Sequence, residues 1–153
     1  KKAVGWLWAL GVLAEIGLFM WLPRLMRAYI LMQILRFSFG CACARFLLIA
    51  WGVGSIPVLM AAQLMHAITF GAYHAAGVAA MHQIFRGRNQ ARGQALYTSL
   101  GYGLGGTLGT LGAGYAWEGW GPQWTFSCSA VAALLAFLVV SWKPMTFGAK
   151  PGN

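Results

Sequence analysis

Five apolar runs, residues 3–22, 31–52, 56–85, 95–116 and 124–142, make up most of this chain. Each is about as long as, or longer than, the ~20 residues with which a helix crosses a ~30 Å hydrocarbon core. Soluble domains carry about a quarter charged residues, whereas here 8% are charged and 59% apolar. Lipid is therefore the expected solvent. Within it each segment must satisfy its own backbone polar groups, so the expected fold is all-α, a polytopic transmembrane bundle of five helices.

The formal charge of +9 would point to nucleic acid in a soluble protein. Here the basic residues occupy short connections beside apolar segments and form no stripe on a polar helix face, so no nucleic-acid partner is expected. Arg24 and Arg27 follow the first run, Arg86, Arg88 and Arg92 the third, and Lys143 and Lys150 the fifth. The connections around Gly52–Ser55 and Glu118–Gln123 carry no basic residue. The positive-inside rule places the three basic regions, the C-terminus included, in the cytoplasm and the start of the first helix outside, with only Lys1 and Lys2 opposing. Tryptophans mark the same boundaries: Trp6, Trp8, Trp51, Trp117, Trp120 and Trp124 form an outer belt, and Trp21 and Trp142 an inner one. The third run is overlong, so its helix is expected to tilt or project before Gly87 ends it. No cleavable leader is visible, and the absent initiator Met points to a piece of a longer chain.

Ionisable residues inside the runs are the candidates for function, because each costs ~2.5 to 3.5 kcal/mol at the membrane centre. Glu15, Arg45 and His66 fall at similar depth on three successive helices when 1.5 Å is counted per residue. Their faces carry small and polar neighbours: Gly11 and Phe19 with Glu15, Ser38 and Cys41 with Arg45, and Gln63, Phe70, Tyr73 and Gly77 with His66. One reading is structural, a Glu15–Arg45 ion pair that fixes register, with His66 bonded to a backbone carbonyl. The other is a switch. An anionic solute that takes over Arg45 strands Glu15, which then binds a proton, and His66 relays that proton or bonds the solute. His74 and His82 are expected to be interfacial. Cys41, Cys43 and Cys128 lack metal-ligand spacing and are read as packing residues, and no metal site is expected.

The fourth run contains Gly101, Gly105 and Gly109 at four-residue intervals within seven glycines. Such a stripe lets another backbone approach closely, as a static contact or a sliding one.

His82-Gln-Ile-Phe-Arg-Gly-Arg-Asn-Gln-Ala-Arg-Gly-Gln-Ala-Leu-Tyr-Thr-Ser-Leu, leading into Gly101-Tyr-Gly-Leu-Gly-Gly-Thr-Leu-Gly and then Gly114-Tyr-Ala-Trp-Glu-Gly-Trp-Gly-Pro, resembles the tenth-to-eleventh helix region of major facilitator superfamily transporters of the phenylpropionate permease type. Ala9-Leu-Gly-Val-Leu-Ala-Glu-Ile-Gly-Leu-Phe is similar to their eighth helix. The resemblance implies that residues 1–153 are part of the C-terminal six-helix domain of a twelve-helix protein, holding its last five helices and needing the missing N-terminal helices as partner. Related proton symporters such as lactose permease place an acid, an arginine and a histidine on the eighth, ninth and tenth helices, where Glu15, Arg45 and His66 stand here. Arg24 and Arg27 match the superfamily's loop motif only in charge.

Three classes follow from the residues: a transporter, a structural or partner-binding membrane subunit, and an intramembrane enzyme. The third lacks a nucleophile with its base or a metal constellation. The expectation is therefore a bacterial inner-membrane secondary transporter, a proton symporter with no cofactor besides the coupling proton. Arg45 invites a carboxylate, and the resemblance implies that the solute is a small aromatic one such as 3-phenylpropionate, contacted by Arg45, Gln63, His66, Phe70 and Tyr73. A nucleoside or sugar is the alternative solute.

Overall fold

The computed structural model describes residues 2–142, with side chains from residue 5 onward. All regular structure among them is helical. Helix α1 runs Lys2–Ala28, α2 Leu31–Gly52, and α3 Ile56–Ile84. After a short 3-10 turn at Gly87–Asn89, a helical stretch continues to Trp142. Four stretches are long and apolar enough to cross a membrane: Gly5–Ala28, Leu31–Gly52, Ile56–Ile84 and Gly87–Trp142.

The last of these has 56 residues and as one rod would extend ~84 Å, far beyond a bilayer. It is broken at Gly121, whose φ of 82° and ψ of 175° are not helical. Pro122 is the cause on one side, since its ring drives the preceding residue out of the α region. Glycine makes the positive φ accessible on the other. Two arms result, α4 (residues 90–120) and α5 (residues 122–142), so the five expected helices are present. The connection expected at Glu118–Gln123 shrinks to this single break, with helix continuing to Trp120.

The other boundaries shift for local reasons. Helix α1 continues through Pro23 to Ala28, which places Arg24 and Arg27 on its last turns instead of in a loop. Arg27 Nε donates to the Pro23 carbonyl at 3.1 Å, and its charge is favourable at the C-terminal end of the helix dipole. The start of α2 is capped by Gln33, whose Oε1 accepts the Ile30 N–H at 3.1 Å. Arg86 lies in the connection, Arg88 in the 3-10 turn and Arg92 in the first turn of α4, all exposed. The side chains of Lys1 and Lys2, and Lys143 and Lys150, lie outside the described residues.

Close approaches define the packing. Helices α1 and α3 run parallel: Gly11 lies against Gln63 and His66, and Gly71 against Leu18 and Phe19. Helix α2 is antiparallel to both α3 and α5. At one end Gly52 meets Val58 and the Trp51 and Trp124 rings are 6.5 Å apart. Along the α2–α5 seam the Phe46 and Phe126 rings stack at 6.4 Å, Gly40 faces Phe137, and Arg36 Nε donates to the Val140 carbonyl at 3.3 Å. Helix α3 therefore sits between α1 and α2 at the level of their polar residues. Toward the other end Leu31, Ile34, Ala72 and Ala76 form a core joined by Leu18, Leu25 and Met26. Buried positions are mostly alanine or glycine, including Ala50, Ala62, Ala67, Gly71, Ala72, Ala76 and Gly77, as expected where close van der Waals packing replaces the hydrophobic effect.

Two stretches depart from α geometry. Ala67–Ala72 in α3 and Thr98–Gly105 in α4 are π-helical, a wider turn frequent at functional sites. Beyond its first turns α4 is almost wholly exposed: among residues 98–120 only Ala113 and Ala116 are half-buried.

Candidate functional site

Glu15 Oε1 lies 3.6 Å from His66 Nε2, with 22% and 34% of the two side chains exposed. Gly11, one turn earlier on α1, makes the approach possible, because a Cβ there would come within 3.2 Å of Gln63 Oε1. The spacing of Gly11 and Glu15 on one face thus seats the carboxylate directly against α3. Glu15 Oε1 and His66 Nδ1 are both buried with no hydrogen-bond partner among the described residues.

Arg45 approaches the same turn of α3 from the opposite side. Its Nε donates to the Ala62 carbonyl at 3.0 Å and its Nη1 to Thr69 Oγ1 at 3.5 Å. The Thr69 hydroxyl in turn donates to the His66 carbonyl at 3.1 Å. His66 is therefore the junction, with its ring against the acid and its backbone tied through Thr69 to the guanidinium. The direct Glu15–Arg45 ion pair is absent. Depth along the helices was legible from residue counting, but the interposition of α3 between α1 and α2 was not. Among the described residues Arg45 has no carboxylate at ion-pair distance.

The remaining expected residues divide between two sides of α3. Phe70 stacks on His66, with centroids 5.6 Å apart and planes 12° apart, and is 44% exposed. Gln63 faces Gly11. Tyr73 instead packs on Phe39 of α2, centroids 5.4 Å apart, away from the acid. Cys41, Cys43 and Cys128 carry free thiols.

His74, expected at an interface, is part of a second cluster. It stacks beneath Phe70, with centroids 6.3 Å apart and planes 8° apart. Its Nδ1 lies 2.8 Å from the Tyr102 hydroxyl. Tyr97 joins at 6.0 Å from both His74 and Tyr102, and Gly77 leaves it room, since a Cβ there would fall 2.6 Å from the Tyr97 hydroxyl. The sequence signal was present in the His66, Phe70, His74 spacing, but the partner tyrosines lie on α4, and only the packing brings them in.

The glycine stripe meets nothing. A Cβ on Gly101 or Gly109 would have no contact within 4 Å, and one on Gly105 would approach only the Leu100 carbonyl of its own helix. A cavity of about 380 Å³ lies elsewhere, lined by Leu25, Tyr29, Gln33, Ile34 and Phe37 between α1 and α2. The polar site is thus an open face and not an enclosed pocket.

The chain has recognisable relatives among known proteins. The MFS_1-like family matches residues 1–128. A "Probable 3-phenylpropionic acid transporter" of Escherichia coli (strain K12) is 31% identical over 141 residues, an alignment covering 87% of this chain and 35% of that protein. The chain thus spans about a third of the length of that relative. No solved structure matches. With several helices able to cross a bilayer and a family match over most of its length, this multi-pass membrane chain belongs to the MFS_1-like family of the major facilitator superfamily.

Proposed function

We propose that this chain is the C-terminal part of a proton-coupled secondary transporter for a small aromatic carboxylate, and not an enzyme. The observation that carries the reading is the Glu15–His66 pair at 3.6 Å, set beside an arginine that has no acidic partner among the described residues. An acid and an imidazole at membrane depth form a proton acceptor, and an arginine free of carboxylates attracts an anion. When a solute carboxylate reaches Arg45, its negative charge favours retention of a proton on the nearby pair. When the solute leaves, that preference is lost. Proton and solute then move together.

The printed name of the E. coli relative supports an aromatic acid as solute, and the exposed ring of Phe70 offers an apolar surface beside the cation. Arg45, Gln63, His66 and Phe70 are the proposed contacts, with Tyr73 supporting from the α2 side. The unpartnered glycine face of α4 is proposed to pack against further helices of the same protein, so that access alternates as the two parts rock. The basic connection at Arg86, Arg88 and Arg92 then faces the cytoplasm of a bacterial inner membrane, together with the C-terminus.

The test is uptake of 3-phenylpropionate by vesicles containing the full-length transporter, with and without an inward proton gradient, for wild type and Glu15→Gln. Gradient-driven uptake that the substitution abolishes is expected. Uptake insensitive to the substitution removes the coupling role, and no uptake by wild type removes the aromatic acid and turns the search to nucleosides and sugars. A structural subunit, the reading from another class, would show no solute-dependent protection of Cys41 from alkylation.

A further inference from the structure

Below the Glu15–His66 pair the structure holds a second imidazole that the coupling scheme does not use. His66, Phe70 and His74 lie four residues apart on α3, and their rings are nearly parallel. In a regular α-helix positions four apart drift by about 40° around the axis. Across the π-helical turn Ala67–Ala72 the three rings nevertheless stack, with successive centroids 5.6 and 6.3 Å apart. Phe70 occupies the middle, so an apolar ring with no donor or acceptor separates two titratable groups.

The lower imidazole has a partner suited to exchanging a proton. While His74 is neutral, the Tyr102 hydroxyl can donate to its Nδ1 across 2.8 Å. When a proton binds Nδ1, the same contact persists with direction reversed, Nδ1–H donating to the tyrosine oxygen. The bond accommodates both states, and no further acid or base is required. Other groups around this level would not compete: α4 contributes Tyr97 and Tyr102, α1 contributes Leu18 and Phe19 at Gly71, and α2 contributes Phe39 beside Tyr73. Arg36 of α2 is turned to the Val140 carbonyl. Tyr102 stands between Gly101 and Gly103 inside the second π-helical stretch, with its ring against Phe70, His74 and Tyr97.

We propose that His74 is a second proton-binding site, held by Tyr102, and that the Phe70 ring is the barrier separating it from the Glu15–His66 pair. The proposal rests on the proton-coupled reading above. A proton passes from one imidazole to the other only when Phe70 leaves the column, through water admitted in its place, so that neither site is continuously open to the other.

The test is proton flux into proteoliposomes of the full-length transporter, read by an entrapped pH-sensitive dye with no solute present, which keeps it independent of what the protein carries. Phe70→Ala should raise this solute-free flux about tenfold. Phe70→Leu, which keeps an apolar plug, should stay near wild type, and Phe70→Val should leak in the same direction and serves if the alanine variant does not reconstitute. Adding His74→Gln to the leaking variant should return the flux to near wild type. Unchanged flux in both Phe70→Ala and Phe70→Val overturns the barrier, and a double variant that leaks as freely as its parent overturns His74 as the second site. Wild-type failure to carry 3-phenylpropionate would instead count against the solute assignment alone.

Discussion

Glu15 meets His66 across the α1–α3 contact at 3.6 Å, and this pairing makes the imidazole, not the guanidinium, the acid's immediate neighbour. The two side chains should therefore act as one unit. Glu15→Gln and His66→Gln are each expected to abolish gradient-driven accumulation, and the double variant to be no worse than either. Strictly additive losses would show that the pair does not share a proton.

The sequence carried much of this arrangement and missed part of it for identifiable reasons. Helix number followed from the apolar runs, and the shared depth of Glu15, Arg45 and His66 followed from the rise per residue. Which of the three would touch did not, because partner choice depends on α3 lying between α1 and α2, a matter of packing that periodicity does not encode. Arg45 shows the consequence, with its Nε on the Ala62 carbonyl at 3.0 Å. The π-helical turns were equally invisible, since Ala67–Ala72 and Thr98–Gly105 carry no residue pattern distinguishing them from α-helix. The unfilled face at Gly101 and Gly109 is a case where the motif was legible while no described residue packs against it.

Arg45 holds the His66 turn through Nε and Nη1 at once, a use of the fork that a lysine ammonium does not reproduce. Arg45→Lys is expected to raise KM for 3-phenylpropionate about tenfold or more, the equivalent of ~1.4 kcal/mol, while leaving uptake of an uncharged amide analogue little changed. Transport assays with the two solutes in parallel decide it. An equal loss for both would assign Arg45 to packing.

Gly77 and Tyr97 fix the α3–α4 contact. A Cβ on Gly77 would stand 2.6 Å from the tyrosine hydroxyl and 2.9 Å from Cζ, so Gly77→Ala forces the ring to move. A destabilisation of ~1–3 kcal/mol is expected from such overpacking, read as earlier thermal unfolding of the full-length protein in detergent. Tyr97→Ala should suppress the effect of Gly77→Ala, because it removes the atoms that clash. Persistence of the loss in the double variant would place the constraint elsewhere than on this ring.

Gly121 is the hinge on which the separation of α4 from α5 depends. Its φ of 82° with ψ of 175° lies in a region essentially reserved for glycine, and a side chain there costs ~1–3 kcal/mol. Gly121→Ala should therefore lower the thermal midpoint of the full-length protein. Gly119→Ala, two residues earlier on regular helix with nothing within 4 Å of its Cβ position, should leave it unchanged or raise it, since alanine is the better helix former by ~1 kcal/mol. The contrast matters more than either value. If alanine at Gly121 is tolerated as well as at Gly119, the chain is not held in the broken conformation. The stretch would then tend toward the ~84 Å rod that 56 continuous helical residues describe, and α5 would lose the turn that returns it antiparallel along α2.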